Sequence, residues 1–346
     1  MKTHLPEEFH GAWAITGVAG FIGSHLLQAL LSANQSVTGL DNLTTGTAEN
    51  LRDVRKNVTP EAWANFRFIE GDIRDPRACG RLMEHADILL HQAAITSVQK
   101  SILEPETTYE INQTGFEQVL TAAKSAGIRR AIYASSGSVY GDSKTPAQKE
   151  EQPGAPLSPY ASSKLSNELY ACEFEQTSGI KTVGLRYFNI FGPRQRATAP
   201  YAAVIPSWIS KIVCGEGIQI FGDGSARRDF CYVGDAVQMN LLAATAPLPE
   251  KAGLVFNTAS GCAISVAELY HLLRDHFQRL MPQIPVLPPD YQPNRPGDIE
   301  RSQGDLNMAR SILGYHPVHS VSEGLAETLK WFLRTTNTAS PGRLGI

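Results

Sequence analysis

Cysteine is scarce in this 346-residue sequence: its five residues are scattered, odd in number and form no Cys-x-x-Cys pair. Such a pattern indicates neither a zinc site nor a disulfide framework, so we predict no bound metal and a reducing compartment, the cytoplasm. Basic runs are also absent, since Lys and Arg are dispersed and the formal net charge is −3. The sequence therefore lacks the electrostatic pattern of a nucleic-acid-binding protein.

Long apolar runs are missing as well. No uninterrupted stretch reaches the roughly 20 apolar residues that a bilayer-spanning helix needs. Residues 1–11 are polar, with Glu7 and Glu8, and contain no apolar core of the kind found in signal peptides. We therefore expect neither a membrane nor a nucleic acid as partner.

What the sequence does contain is a regular alternation of short apolar strands and helical segments through its first half. This alternation is typical of an α/β fold, a doubly wound parallel sheet of the Rossmann type. After Gly192 the elements become shorter and proline more frequent, so we expect a smaller, interleaved α/β substrate-binding lobe at the carboxyl edge of the sheet. The predicted boundaries are 1–189 and 229–262 for the Rossmann domain, 190–228 and 263–334 for the lobe, and 335–346 for a flexible tail, with 107–126 as one helix and 180–189 as one strand.

Three glycines, Gly17, Gly20 and Gly23, follow the first predicted strand and precede a helical run. Glycine lets a backbone turn tightly and approach a pyrophosphate bound at a helix N-terminus. The spacing is Gly-x-x-Gly-x-x-Gly rather than Gly-x-Gly-x-x-Gly, and a plain glycine-rich turn is the alternative. The strand and helix on either side of the turn favour a dinucleotide site.

Asp41 ends the second predicted strand, close to the separation of ~20 residues expected between the glycine turn and a ribose-binding carboxylate. A carboxylate accepts hydrogen bonds from the ribose 2′-hydroxyl and repels a 2′-phosphate, so Asp41 predicts NAD rather than NADP. Asp72 follows the third predicted strand, where a simple turn residue is the alternative. Gln92, Ala93 and Ala94 follow the fourth, where small side chains would admit a flat cofactor.

Ser136, Tyr160 and Lys164 place a hydroxyl, a phenol and an ammonium in order along the chain. If 157–176 is helical, Tyr160 and Lys164 are spaced i and i+4 and lie on one face. A neighbouring cation stabilises a phenolate, so the spacing predicts that Lys164 lowers the pKa of Tyr160 from its usual value of ~10. For the pair alone, an ordinary helix face with an exposed Tyr and an exposed Lys is the alternative.

Jointly these segments resemble the extended short-chain dehydrogenase/reductase family over nearly the whole chain. Within that family the chain looks like the UDP-hexose 4-epimerases, most closely the branch that acts on UDP-N-acetylhexosamines, the UDP-N-acetylglucosamine 4-epimerases. Besides the glycine turn and Tyr-x-x-x-Lys, the motifs that carry the resemblance are 41–46 (DNLTTG), 185–189 (LRYFN), 201–206 (YAAVIP), 228–233 (RDFCYV) and 295–298 (RPGD).

The resemblance implies a mechanism in which the Tyr160 phenolate takes the proton of the sugar 4-hydroxyl and NAD⁺ takes the C4 hydride. The resulting 4-keto sugar turns over and receives the hydride on its other face. Ser136 would bind the 4-oxygen, and Lys164 the nicotinamide ribose. The other implied cofactor contacts are Phe21, Ile22, Asn42, Gly46, Ile73 and Tyr187. The implied contacts to the UDP-sugar are Ser138, Asn189, Gln195, Ala203, Val204, Phe221, Arg228, Arg295, Asp298 and Ser302.

Ser302 carries the implied choice of sugar. It matches a wall residue that limits space around the sugar C2, where a tyrosine excludes an N-acetyl group and a serine leaves room for it. The alternative is that Ser302 caps a helix that begins near Leu306. The resemblance also implies a homodimer, in which helices 107–126 and 160–176 of two copies form a four-helix bundle.

Other activities occur on the same fold. Nucleotide-sugar dehydratases and uronate decarboxylases carry an acidic residue in the stretch after the active-site Ser or Thr, where this chain has Gly137 and Ser138. Non-catalytic NAD-sensing modules often lack the Tyr or the Lys, and both are present here. The sequence leaves three other activities as alternatives. They are a reductase that releases NADH, an epimerase for UDP-Glc and UDP-Gal, and an epimerase for a UDP-N-acetylhexosaminuronate.

Overall fold

The computed structural model describes residues 11–197, 202–294 and 299–338, and its largest element is a seven-stranded parallel sheet. The strands of the described chain are β1 (Ala12–Thr16), β2 (Ser36–Asp41), β3 (Phe66–Glu70), β4 (Ile88–His91), β5 (Arg130–Ser136), β6 (Lys181–Tyr187), β7 (Asn189–Phe191), β8 (Gln219–Phe221), β9 (Arg227–Tyr232), β10 (Leu254–Thr258), β11 (Ala263–Ser265), β12 (Asp290–Gln292) and β13 (Arg301–Ser302). The helices are α1 (Phe21–Ser32), α2 (Ala48–Lys56), α3 (Pro60–Ala64), α4 (Pro76–Met83), α5 (Val98–Leu103), α6 (Pro105–Tyr109), α7 (Gly115–Ala126), α8 (Pro159–Ser178), α9 (Val204–Val213), α10 (Val233–Thr245), α11 (Val266–Leu280), α12 (Asn307–Leu313) and α13 (Val321–Thr338).

The strand order of the large sheet is β10-β6-β5-β4-β1-β2-β3, and every neighbouring pair is parallel. The chain builds outward from β1 to β3 and then returns to place β4 on the other side of β1. This reversal creates a crevice at the carboxyl ends of β1 and β4, which is where open α/β sheets bind their ligands. The predicted doubly wound parallel sheet is therefore confirmed.

Helices cover both faces of this sheet because its strands alternate their side chains between the faces. Trp13 and Ile15 of β1 belong to the core under α1 and α10, whereas Ala14 belongs to the core under α4, α7 and α8. The near-continuous apolar sequence of β1 is explained by this burial on both sides.

A second, smaller unit lies at the carboxyl edge and contains a four-stranded sheet and a two-stranded one. In the first, β9 pairs with β7, β11 and β13, and in the second β8 pairs with β12. A separate apolar core joins this unit to α9, α11 and α13, with Trp208, Leu273 and Leu325 among its buried members.

Four boundaries differ from the predictions. The helix predicted for 107–126 is α6 and α7 joined by a π-helical segment, Glu110–Thr114, and the strand predicted for 180–189 divides at Phe188 into β6 and β7. The predicted domain boundary at residue 229 falls inside β9, and α13 extends to Thr338, beyond the predicted start of a flexible tail. Within the described residues, the structure has no helix that is both long and apolar enough to cross a membrane.

Candidate active site

The glycine turn between β1 and α1 is tight enough to require glycine. Gly17 has φ +68°, and a Cβ there would lie 2.8 Å from the backbone nitrogen of Ala93. A Cβ on Gly23 would lie 2.1 Å from the carbonyl oxygen of Gly17. Gly20 is the N-cap of α1 and has no side chain to satisfy the free N–H groups of the first turn. The turn thus offers a diphosphate both backbone donors and close approach.

Replacing Gly23 by Ala should open this turn, because its new Cβ meets backbone rather than a movable side chain. We expect a stability loss of about 1–3 kcal/mol, typical of overpacking, and at least a tenfold weaker affinity for NAD. The check is a melting curve with a titration of NAD onto cofactor-stripped protein.

Gly80→Ala is the matched control, because Gly80 lies exposed in α4 with nothing within 4 Å of an added Cβ. Alanine is the better helix former by about 1 kcal/mol, so this variant should be as stable as the wild type or more so. Unchanged NAD affinity in Gly23→Ala would contradict the assignment of the turn.

Asp41 lies at the end of β2, next to the glycine turn. Its two carboxylate oxygens accept hydrogen bonds from the backbone N–H groups of Ala19 (2.9 Å) and Leu43 (2.8 Å). Burial raises the pKa of this carboxyl, and these backbone bonds oppose the rise. A carboxylate has about four acceptor positions, so the Asp41 carboxylate can still accept a further hydrogen bond. Gly46 leaves room for it, since a Cβ there would lie 2.8 Å from both oxygens.

Asn42 and Asp72 meet where β2 and β3 end. The Asn42 amide donates to Asp72 Oδ2 at 3.0 Å, and Arg74 donates to both oxygens of the same carboxylate. The Arg74 guanidinium holds the pKa of Asp72 down, at about 2, so the group is an acceptor at neutral pH. Ile73, next to Asp72 in the chain, is buried and belongs to the core under α4, α7 and α8.

Thr16 organises the other side of the crevice, and the sequence reasoning missed it. Its hydroxyl lies 2.8 Å from His91 Nδ1 and accepts hydrogen bonds from the backbone N–H groups of Gln92 (3.1 Å) and Ala93 (3.2 Å). Burial lowers the pKa of His91 to about 3, so its imidazole is neutral. The sequence did contain a signal for this role, because Thr16 is a hydroxyl residue at the end of an otherwise apolar strand.

Gln92 and Tyr187, both predicted cofactor contacts, bond to each other. The Tyr187 hydroxyl donates to Gln92 Oε1 at 3.0 Å, and Asn240 of α10 bonds to both side chains, at 2.8 and 3.1 Å. Their polar groups are thus engaged within the protein, so they form a fixed wall of the crevice beside Ala93 and Ala94. Asn240 was not predicted, although it is polar within an apolar helix.

Ser136, Tyr160 and Lys164 come together at the carboxyl end of β5. Ser136 ends that strand, and the next turn brings Ser138 back so that its hydroxyl donates to Ser136 Oγ at 2.9 Å. Tyr160 and Lys164 occupy the first turns of α8, which Ser158 caps by accepting from Ala161 N at 3.1 Å. Both side chains are buried, so the exposed-face alternative for this pair is wrong.

The electrostatics of the pair differ from the prediction. The Lys164 ammonium donates to the Ala134 carbonyl at 2.8 Å and lies 5.9 Å from the centre of the Tyr160 ring. Burial raises the pKa of Tyr160, and a hydrogen bond with Ser136 only partly opposes this. Burial likewise lowers the pKa of Lys164 to about 8. The predicted lowering of the Tyr160 pKa by Lys164 is therefore not found: burial raises this pKa, and the group that opposes the rise is Ser136 rather than Lys164.

A buried ion pair lies directly behind Lys164 and was also missed. Glu168, one turn further along α8, accepts from Arg186 Nε (2.9 Å) and NH2 (2.7 Å) and from the Ser135 hydroxyl (2.5 Å). Its negative charge raises the pKa of Lys164 against the larger effect of burial. The signals were an arginine inside an apolar strand and a carboxylate four residues after the lysine.

In the smaller unit, the four-stranded sheet brings together three of the predicted substrate contacts. Asn189 of β7 donates to the Asp229 carbonyl at 3.3 Å, and Ser302 of β13 lies opposite Arg228 of β9 in the parallel register. Since Leu306 is the N-cap of α12 and Ser302 is in a strand, the alternative that Ser302 caps this helix is wrong.

The other predicted substrate contacts are less closely grouped. Ala203 is the N-cap of α9 and Val204 its first residue, whereas Phe221 ends β8 in the separate two-stranded sheet. Gln195 donates to the Ile190 carbonyl at 3.2 Å, and its Oε1 is buried without a partner in the described chain. Arg295 and Asp298 lie outside the described residues.

Asp229, which the sequence reasoning left out, holds this side of the site together. Its fully buried carboxylate accepts backbone N–H groups from Ser260 (2.7 Å), Gly261 (3.0 Å) and Gly304 (3.2 Å). These bonds fix the segment after β13 against β9, and with it the position of Ser302. Burial raises the pKa of Asp229, against these bonds.

Comparisons with known proteins agree with this geometry. The model of the NAD dependent epimerase/dehydratase family matches residues 13–259. A UDP-glucose 4-epimerase from Mycolicibacterium smegmatis is 33% identical over 320 residues, which cover 92% of this chain and 97% of that protein. The structure of UDP-N-acetylglucosamine 4-epimerase from Methanobrevibacter ruminantium M1, in complex with UDP-N-acetylmuramic acid, has a TM-score of 0.84 at 35% identity and covers 94% of this chain and 99% of its own. That of the UDP-glucose 4-epimerase from Thermus thermophilus, in complex with NAD, has a TM-score of 0.79 at 30% identity, with 93% and 99% covered.

Proposed function

The chain belongs to the NAD dependent epimerase/dehydratase family, and we propose that it interconverts UDP-N-acetylglucosamine and UDP-N-acetylgalactosamine by epimerisation at the sugar C4. Its cofactor is NAD, as the sequence predicted. The observation that carries the proposal is the buried cluster of Ser136, Tyr160 and Lys164 at the carboxyl end of β5, beside the crevice formed by β1 and β4.

The residues around the crevice fit NAD. The glycine turn would hold the pyrophosphate, and Asp41, whose carboxylate can still accept a hydrogen bond, would hold the adenosine ribose. Lys164 would bind the nicotinamide ribose. When bound, NAD⁺ supplies the hydride acceptor for C4 and a positive ring that favours the Tyr160 phenolate.

Proton transfer falls to Tyr160 with the help of Ser136. A base must reach the 4-hydroxyl proton directly or through one hydroxyl, and the phenol and Ser136 are hydrogen-bond partners. Ser138 fixes Ser136, because its backbone N–H and hydroxyl both donate to Ser136 Oγ, at 3.1 and 2.9 Å. Burial of Tyr160 helps to keep water away from a keto sugar held against its hydroxyl.

The N-acetylhexosamine assignment is supported by the small side chain of Ser302 next to Arg228. Arg228 would bind the UDP diphosphate, since a guanidinium matches phosphate oxygens, and the sugar would then lie against Ser302. Gln195 is compatible with the assignment, because its carbonyl oxygen, which has no partner among the described residues, would accept a hydrogen bond from an acetamido N–H.

UDP-glucose and UDP-galactose are the second candidate pair, favoured by the M. smegmatis relative. A small Ser302 admits a C2 hydroxyl as well as an acetamido group, so it does not exclude these sugars. An elimination reaction fits the site less well, because Gly137 and Ser138 offer no acid in the turn after Ser136.

The test is to incubate the purified protein separately with UDP-GlcNAc, UDP-Glc and UDP-GlcNAcA and to quantify each 4-epimer by chromatography. We expect kcat/KM to be highest for UDP-GlcNAc, without added NAD in each turnover. A dehydrated product, net NADH release or a preference for UDP-Glc would each contradict the proposal in a distinguishable way.

The helices α5, α6 and α8 lead us to include a homodimer in the proposal. They pack together and present large apolar side chains to solvent, among them Leu169 (68% exposed) and Tyr109 (60% exposed). A patch of this kind marks an interaction site. Because α8 also carries Tyr160 and Lys164, a second copy bound there would stiffen the catalytic helix.

Leu169→Glu should convert the dimer to a monomer, because it places an unpaired carboxylate in the centre of the apolar contact. Light scattering measures the mass of both proteins. Leu287→Glu is the control, because Leu287 is also exposed but lies in the smaller unit, away from α5, α6 and α8 in the chain. A wild-type protein that is monomeric at micromolar concentration would refute the dimer.

A further inference from the structure

Arg194 is a buried cation that the proposed chemistry does not use. Its side chain is 4% exposed and lies between the segment after β7 and the helices α1 and α2. Nε donates to Asp53 Oδ2 at 2.6 Å, NH1 to the Ser24 carbonyl at 3.2 Å, and NH2 to Gln28 Oε1. A guanidinium taken out of water needs such partners, and here every one of these three partners belongs to the cofactor side.

The backbone around Arg194 is held just as firmly. Arg194 has φ +65°, a left-handed conformation that a residue with a side chain adopts at a cost, so surrounding contacts must impose it. The preceding carbonyl, that of Pro193, accepts from Nε2 of the α1 residue His25 at 2.9 Å. Burial, with the nearby Arg194 charge, holds the pKa of His25 at about 3, so its ring is neutral.

The two residues after Arg194 point to different sites, Gln195 to the proposed sugar site and Arg196 to the cofactor site. Gln195 turns towards β7, where its amide donates to the Ile190 carbonyl and its buried Oε1 has no partner among the residues that the structure describes. Arg196 turns back to the cofactor side, where NH1 donates to the Thr45 carbonyl at 3.3 Å. Thr45 lies in the loop that follows Asp41, so residues 193–196 contact both the α1 helix and this loop.

We propose that Arg194 is a positioning residue that couples the two sites. It ties Gln195 to α1, the helix whose N-terminus follows the glycine turn, so that each site orders the other. The inference rests on the proposed function, because it takes α1 to hold the pyrophosphate and Gln195 to face the sugar. Coupling between sites is reciprocal, so bound UDP-sugar must tighten NAD binding by the factor by which NAD tightens sugar binding.

The test compares Arg194→Met with the wild type. Methionine keeps an apolar stem but loses the three donors, and Asp53, whose side chain is 25% exposed, stays hydrated. The measurements are the equilibrium Kd for NAD on cofactor-stripped protein with and without saturating UDP-GlcNAc, and kcat and KM separately. In the wild type the nucleotide sugar should lower the Kd for NAD at least about fivefold, the lower end of usual couplings. In Arg194→Met this effect of UDP-GlcNAc on NAD binding should fall to a factor of about one. The KM for UDP-GlcNAc should rise about tenfold, and kcat should change less.

Two controls separate coupling from loss of stability. Arg52→Met makes the same chemical change at an exposed α2 ion pair with Glu49. Glu175→Gln weakens a buried ion pair with Lys181 at the far end of α8. Neither should alter the effect of the nucleotide sugar on NAD binding, even where the melting temperature falls.

The outcomes distinguish this inference from the proposed function. If the wild type epimerises UDP-GlcNAc but Arg194→Met keeps the wild-type KM and the wild-type effect of UDP-GlcNAc on NAD binding, the inference fails and the function stands. Equal loss of this effect in Glu175→Gln would also overturn it, as a mere effect of stability. If the wild type neither binds nor converts UDP-GlcNAc, the proposed function and the inference fall together.

Discussion

Tyr160→Phe should lower kcat for 4-epimerisation by about 10²–10⁴, the usual contribution of a general base. The phenylalanine keeps the buried ring and removes only the hydroxyl whose partner is Ser136. The fold and NAD binding should therefore be retained, since Lys164 keeps its hydrogen bond to the Ala134 carbonyl. The measurements are kcat with UDP-GlcNAc, the NAD content of the denatured protein, and a melting curve.

Tyr170→Phe provides the matched control, because it removes a hydroxyl from the same helix on a partly buried ring. It should keep wild-type turnover. Ser136→Ala should fall between the two, because Tyr160 still reaches the substrate oxygen directly. Turnover near the wild-type level in Tyr160→Phe would remove the proposed mechanism.

Ser302→Tyr should penalise N-acetylated sugars selectively. The substitution adds an aromatic ring beside Arg228 in the β9 and β13 register, where the proposed sugar pocket lies. Overpacking costs about 1–3 kcal/mol, or roughly a ten- to hundredfold loss of kcat/KM. The loss should fall on UDP-GlcNAc and UDP-GalNAc, whose acetamido group needs the space, while UDP-Glc and UDP-Gal are spared.

The comparison needs kcat/KM for both sugar pairs in both proteins. Ser311→Tyr, which adds the same ring at an exposed position of α12, controls for general effects of the new side chain. Equal losses for acetylated and non-acetylated sugars would refute the assignment of Ser302 and remove a main support for N-acetylhexosamine substrates.

Local sequence determined those parts of the protein whose reasons are local. The β1 strand is apolar because both its faces are covered, and the turn after it uses glycine because a Cβ on Gly23 would meet the Gly17 carbonyl at 2.1 Å. The spacing of Tyr160 and Lys164 follows from helix geometry, and Ser158 and Pro159 mark where that helix begins. The parallel pairing of the strands follows from their alternation with helices, because parallel neighbours need helical crossovers.

Only the tertiary structure decided how these groups are charged and held. The i and i+4 spacing predicted a lysine that lowers the Tyr160 pKa, but burial of both groups reverses that balance, and burial is a property of the packed chain. The ion pair behind Lys164 joins Glu168 and Arg186, which are 18 positions apart in the sequence. Arg194 reaches Ser24 across 170 positions. Such contacts leave no period in the sequence, because each depends on which elements the fold brings side by side.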